Sequence, residues 1–405
     1  MTYLVIASQQ LRFLKLERPA GAVIGAVAMV LVGGLPLDAA LQTIDLHVVI
    51  LLFGVLVIAG YLQQAKFFEL AAYLVLTRAQ SARSLLFGLV FVAGGLSALL
   101  LNDTVCVVLT PLVVMVVVAA KLPPLPYILA LASAANVGGV VSFSGNPQNM
   151  IIGAAAHDTL GFAHYFALTL PIGIACLAAN AWLLAWLFRK QLPAGPLAAR
   201  PAVEPVVDRP LAIKALLALA LFAGLALAGI SLAGAAMSAA AALIVVSRRG
   251  GDPVFRAIDW KLLAFFAGLF VVVGGVQHAG VLEKMFHWVE PVINRGDAVG
   301  DLAFIAIIVI GAQLVSNVPL VLVAVAWVPH MPEPTWGYII LAVASTLAGN
   351  LTLFGSVANI IVSEAAGEHG HIGFRKFLRY GVVITTANLV LAFAILGIER
   401  LLGAL

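Results

Sequence analysis

Asn102-Asp103-Thr104 breaks one long apolar run, and Ser316-Asn317-Val318-Pro319 breaks another. Two further apolar stretches carry polar groups at their middles. The first offers Asn136, Gly138, Gly139, Ser142, Ser144, Gly145, Asn146 and Asn149; the second offers Thr346, Asn350, Thr352, Gly355, Ser356 and Asn359. Amides, hydroxyls and freed backbone groups are oxygen and N–H ligands. Unwound carbonyls and helix C-termini suit a hard cation such as Na⁺, and helix N-termini suit an anion. Asp103 is the only acidic residue deep inside any apolar segment. An intramembrane carboxylate is costly unless it is paired, protonated or cation-bound, so it is a candidate for holding Na⁺ or carrying a proton. The plainer reading of each residue alone is that Ser, Thr and Asn join helices and that Gly allows close packing.

Other chemistry is poorly supported. Ser144-Gly145 resembles a fragment of an intramembrane serine protease, but no histidine lies at comparable depth to act as its base. Cys106 and Cys176 lack metal or disulfide spacing. Cys106 could meet a thiophilic metalloid, though a small core residue accounts for it as well. His278 reads as interfacial, and His369 and His371 as loop residues. No phosphate-loop pattern appears, so nucleotide binding is not expected.

The elements that carry these groups occur twice. Residues 131–152 and 341–362 align without a gap, matching Gly139 with Gly349, Gly145 with Gly355 and Asn149 with Asn359. Residues 44–65 align with 258–279, matching Asp45 with Asp259 and Gly54 with Gly268, and Asn102 falls on Asn317. The offset stays between 210 and 215. Spans are expected at 19–37, 44–63, 127–153, 165–189, 211–228, 231–247, 258–277, 336–363 and 377–397. The segments 84–119 and 299–329 read as hairpins, re-entrant or fully spanning. The fold expected is therefore an all-α polytopic membrane protein of about nine spans plus two hairpins. A first repeat (1–189) and a second (211–405) are joined by a Pro- and Ala-rich cytoplasmic linker at 190–210. Residues 66–83 read as an interfacial helix. The extra span 211–228 makes the second repeat enter the membrane inverted. Duplicated broken helices point to the binding site of a secondary transporter.

Composition and charge agree. The chain is 63% hydrophobic and 10% charged, with a mean hydropathy of +1.11, which excludes a soluble fold. With the N-terminus cytoplasmic, every Lys and Arg except Lys284, Arg295 and Arg400 faces the cytoplasm, as the positive-inside rule requires. This accounts for the net charge of +4 without a nucleic-acid partner. The C-terminus then lies outside.

Residues 135–149 (ANVGGVVSFSGNPQN) resemble the broken-helix motif of the ion transporter superfamily, which includes citrate and dicarboxylate transporters, arsenite permeases and some sodium–proton antiporters. Asn102-Asp103 followed by Thr110-Pro111, and residues 348–362 (AGNLTLFGSVANIIV), look most like the arsenite-permease branch. The dicarboxylate branch has Ser-Asn-Thr at both tips, which this chain lacks. The resemblance implies an elevator-type carrier, often a homodimer, in the inner membrane. It implies one cation site near Asn102, Gly138 and Gly139, which Asp103 would join, and a counterpart near Asn317, Thr346 and Gly349. It also implies a static scaffold containing 19–37, 165–189, 211–247 and 377–397. The function expected is coupled transport of a small anion (inorganic oxyanion, metalloid or carboxylate) with Na⁺ or H⁺ as coupling ion and no cofactor. The alternative is a Na⁺/H⁺ antiporter using Asp103. Nothing suggests an enzyme.

Overall fold

A computed structural model describes residues 18–197, 204–249, 252–367 and 371–403. Arg12, Lys15, Arg200 and His369 lie outside the described residues, as does part of the linker.

The first repeat runs α1 (Arg18–Leu31), α2 (Leu37–Gln42), α3 (Leu46–Gln64), α4 (Phe67–Arg78), α5 (Ala82–Leu99), α6 (Asn102–Ala119), α7 (Pro124–Gly139), α8 (Pro147–Ala155) and α9 (Phe162–Leu187). After α10 (Arg209–Leu227) the series recurs: α11 (Leu232–Ser247), α12 (Asp252–Ala257), α13 (Trp260–His278), α14 (Val281–Ile293), α15 (Ala298–Val315), α16 (Asn317–Ala324), α17 (Pro334–Ala348), α18 (Val357–Ala365) and α19 (Phe374–Leu401). Eight of these helices are long and apolar enough to cross a membrane. The chain is an all-α polytopic membrane protein.

Local signals set the helix ends. Asp45 caps α3 by accepting from the His47 and Val48 amides, and Asp259 caps α13 by accepting from Leu262. Pro124, Pro147 and Pro334 open α7, α8 and α17, where a missing N–H costs nothing. Three expectations change. The first span is shorter than 19–37, because Gly34 at φ +72° and Pro36 end it and leave a separate short helix, α2. The helix α14 is not marked in the sequence, although it occupies the place in the second repeat that α4 occupies in the first. Residues 165–189 and 377–397 pack mainly with each other and with the polar-break elements, with only a small contact from 165–189 to 211–228. They form α9 and α19, which pack on each other; α9 also packs on α5 and α7, and α19 on α17. Gly173 and Asn180 of α9 lie against Val141 and Ser133, and Gly381 of α19 lies against Asn350 and Leu351, so both helices meet the polar-break elements.

The repeats exchange partners. The main partner of α1 is α13 of the other repeat, and the main partner of α3 within the first-span pairs is α11. Both crossings turn on glycine. A Cβ on Gly268 would lie 2.8 Å from the Ala22 backbone, and one on Gly54 would lie 2.8 Å from the Ala236 backbone. Small residues at crossings let membrane helices approach closely. The reciprocity is that of a two-fold axis.

One end of the bundle is tied by the linker. The Asp208 amide donates to Ala65, Leu197 to Gln80, and Arg249 pairs with Asp208. This end carries Lys66, Arg78, Arg83, Arg209 and Arg248 and is called the basic face below. At the opposite end Arg400 pairs with Glu333 and Asp301, and Arg295 with Asp297.

Candidate functional site

The two broken helices cross at the centre of the bundle, and each is stitched by its own asparagine. Where α7 ends, its last carbonyls have no helical partner. Asn149 of α8 supplies one, donating through Nδ2 to Gly139 O (2.9 Å) and Ser142 O (3.4 Å). In the second repeat Asn359 donates to Gly349 O (2.6 Å) and Thr352 O (3.0 Å). Gly145 and Gly355 lie over those breaks. A Cβ on Gly145 would sit 2.8 Å from Gly139, and one on Gly355 would sit 3.0 Å from the Gly349 carbonyl.

The breaks are then bonded to each other. Asn136, on the last turn of α7, donates to Asn350 Oδ1 (2.8 Å) and Asn359 Oδ1 (3.0 Å) and accepts from Ser356 Oγ (3.0 Å). Its counterpart Thr346 donates to Asn149 Oδ1 (3.2 Å) and accepts from Asn146 Nδ2 (3.1 Å). Each first arm thus holds the second arm of the opposite break.

The first hairpin tip joins this centre. The Asn102 amide N–H donates to Gly145 O (3.0 Å), and its Nδ2 donates to Asn136 Oδ1 (3.1 Å). Asn102 Oδ1 accepts from the Asp103 amide, as Asn317 Oδ1 accepts from Val318. Asp103 stands in the first turn of α6, where the helix dipole favours a carboxylate. Among the described residues it is the only Asp, Glu, Lys or Arg in the buried class. The second tip differs. Ser316 holds φ +72°, which is strained for a residue with a Cβ, and α16 is short. Asn317 is buried, and α16 packs on α8, as α6 packs on α18.

The sequence-predicted residues therefore divide. Asn102, Asn136, Asn146, Asn149, Thr346, Asn350, Ser356 and Asn359 are brought into one network, and Gly139, Gly145, Gly349 and Thr352 join it through backbone groups. Gly138 serves packing, because a side chain there would overlap the Gly94 backbone of α5. Ser142 and Ser144 bond each other (3.0 Å), and Ser142 also reaches Ala98 O. Thr104 is half-buried, outside the network. Gln313 was missed. From α15 it donates to Ala348 O (3.0 Å) and accepts from Thr352 Oγ1 (2.7 Å). A glutamine inside the apolar run of 302–315 was its visible signal. Gln148, buried beside Thr346, was also missed.

The donor set is amide, hydroxyl and carbonyl oxygen, with one carboxylate. No group of three His, Cys, Asp or Glu able to hold a metal occurs among the described residues. Oxygen donors of this kind are ligands for hard cations rather than for soft metals.

Comparison with known proteins gives concordant results. A family model described as "Citrate transporter" matches residues 3–337. The silicon efflux transporter LSI3 of Oryza sativa subsp. japonica is 32% identical, over 87% of this chain and 86% of its own length. The putative transporter arsB of Dictyostelium discoideum is 24% identical, over 92% and 86%. The solved YdaH transporter of Alcanivorax borkumensis shares the fold at a TM-score of 0.58 and 15% identity, covering 94% of this chain and 89% of that one.

Proposed function

We propose that this chain, which belongs to the citrate transporter family, is a secondary active transporter of a small inorganic oxyacid or its anion, coupled to Na⁺ or H⁺. The observation that carries the reading is the reciprocal crossing of two broken helices, with one hairpin tip bonded into it. Non-helical backbone at membrane depth persists only where it is buried in protein or lines a cavity. In this reading the hairpins are re-entrant, because the Asn102 amide ends on the break of α7–α8. The hairpins, broken helices, α9 and α19 move as one body against α1, α3, α10, α11 and α13. The assembly is a homodimer in the inner membrane, with the basic face cytoplasmic and the C-terminus outside.

The chemistry of the centre narrows the cargo. Among the described residues no Lys or Arg is buried, and the one buried acidic residue is Asp103. A multiply charged carboxylate would have only a co-transported cation as counter-charge there, and desolvating its remaining charge costs several kcal/mol. A small hydroxylated acid, neutral or singly charged, is matched by amides that both donate and accept. The relative named as a silicon efflux transporter, and the arsenite-permease resemblance, are the reason to test silicate and arsenite first.

The assay is uptake into proteoliposomes of arsenite, silicate, phosphate or citrate, each with and without a Na⁺ or pH gradient. Gradient-driven accumulation of an inorganic oxyacid, abolished by Asn102→Ala, is the expected result. Accumulation of none of the four would overturn it. The second reading, Na⁺/H⁺ exchange, rests on Asp103 as the one buried Asp, Glu, Lys or Arg among the described residues. It predicts cargo-free exchange that Asp103→Asn abolishes, and wild-type vesicles without exchange would remove it.

A further inference from the structure

A cavity of about 430 Å³ opens at the helix ends opposite the basic face. One wall is Asp45 and His47 at the start of α3, with the α10–α11 turn. The other is α8 and the α8–α9 turn, including Ala154 and His157. The cavity thus lies between the two bodies that the transport reading moves against each other. Its floor includes Phe143, which is only 1% exposed and belongs to the break between α7 and α8.

Phe143 is fixed on both sides. Its ring stacks on Tyr165 of α9, with centroids 4.0 Å apart and planes 13° from parallel. The Tyr165 hydroxyl donates to Val140 O (2.8 Å) and accepts from Asn149 Nδ2 (3.2 Å), so the stack is anchored to the polar centre itself. On another side the ring lies against Gly153 of α8, where a Cβ would come within 2.7 Å of Phe143 Cγ. Only glycine leaves that slot open. The second repeat reproduces the device only in part. Leu353 aligns with Phe143, and its neighbour Phe354 stacks on Phe374 at the start of α19 (5.4 Å, 22°), a pair with no hydroxyl to anchor it to the break.

We infer that this cavity is the antechamber through which cargo reaches the crossing, and that Phe143 sets the size of what passes between them. The inference rests on the transport reading. The stack is the sole aromatic pair joining the cavity floor to the break by an anchored hydroxyl among the described residues. The cargo class it admits is a small hydroxylated acid, passed when the ring swings aside.

The test uses the full chain in intact cells, with Cys106 and Cys176 replaced by Ala and a membrane-impermeant methanethiosulfonate added outside. Ala154→Cys reports the cavity, and Ser144→Cys reports the break beyond Phe143. Ala154→Cys is expected to react, and Ser144→Cys to react about tenfold more slowly. Phe143→Ala should remove that difference without changing Ala154→Cys. Gly153→Ala, which displaces the ring rather than deleting it, and Phe143→Leu should act in the same direction, and they decide the matter if Phe143→Ala fails to fold. Equal reaction of both reporters with Phe143 in place, or no reaction at Ala154→Cys, overturns the inference. Uptake is read separately. If no cargo moves while the labelling pattern holds, the transport reading fails and the access route stands.

Discussion

Asn136 uses its whole hydrogen-bonding capacity: two donor bonds to Asn350 and Asn359, and two acceptor bonds from Asn102 and Ser356. Asn136→Asp keeps the shape and removes both donors, leaving a carboxylate against two amide oxygens. A buried group left unsatisfied costs about 1–3 kcal/mol, and an unpaired charge costs more. The variant should therefore melt well below the wild type in a detergent thermal-shift assay, and Asn136→Thr, which copies the residue at the corresponding place, should lose less. An unchanged melting point for Asn136→Asp would mean that the network does not hold the two breaks together. Asn180 and Asn388 give the opposite lesson. Both are fully buried at equivalent places on α9 and α19. Asn180 donates to Ser133 Oγ (2.9 Å), but the residue corresponding to Ser133 is Val343, and neither side-chain atom of Asn388 has a protein partner. Asn388→Leu should accordingly leave the melting point unchanged or raise it, whereas Asn180→Leu should lower it by the loss of about 1 kcal/mol. Equal destabilisation by both would show that Asn388 has a bound partner.

At the scale of elements, duplication made most of the fold legible. The repeated glycines and polar breaks gave both hairpins and both broken helices, because a bilayer tolerates an interrupted apolar run only where protein or a cavity covers the break. The short α2 and α12 were not legible, since six-residue helices lack a periodic face. Nor was the grouping of α9 with α19 on the polar body. Their apolar runs look like any span, and nothing in them marks the face along which the two helices pack, a contact that includes the Cys176 thiol on the Asn388 carbonyl (Sγ to O 3.6 Å). The site was legible as a set of residues but not as a wiring. Asn149 and Asn359 read as candidate ligands, yet both donate to the carbonyls of their own break, and Asn149 also to the Tyr165 hydroxyl. Two element-level outcomes follow from the geometry. Gly54→Val and Gly268→Val force a side chain into the facing backbone at equivalent crossings, and overpacking typically costs about 1–3 kcal/mol. The two variants should lower thermal stability to a similar degree, and a loss confined to one would contradict the exchanged packing. At the second tip, Ser316→Gly relieves the positive φ and should raise the melting point. If that strain is used in opening the hairpin, transport slows while stability rises.

At the scale of the molecule, the frame is symmetric and its contents are not. The pairs Asp103 and Val318, Asn136 and Thr346, and Phe143 and Leu353 occupy equivalent places with different chemistry. Alternating exposure to two sides needs only the symmetric frame, whereas a direction and a cargo need the differences. Charge is the basis of the expected orientation. At the end opposite the basic face, Arg295 and Arg400 are held by Asp297, Glu333 and Asp301, so little net positive charge remains there. At the basic face Lys66, Arg78, Arg83, Arg209 and Arg248 gather around the linker, where Arg249 pairs with Asp208. Cytoplasmic loops retain such clusters during insertion. A cysteine placed at exposed Ala194 of the linker, in a background lacking Cys106 and Cys176, should stay unreactive to an impermeant maleimide in intact cells and react once the membrane is opened. A cysteine at exposed Lys284 should react in intact cells. The reverse pattern would invert the molecule, place the cavity beneath Asp45 and His47 on the cytoplasmic side, and turn the proposed entry route for cargo into an exit. Reactivity of both in intact cells would mean that the two ends share a side, which an odd count of spans between the repeats does not allow.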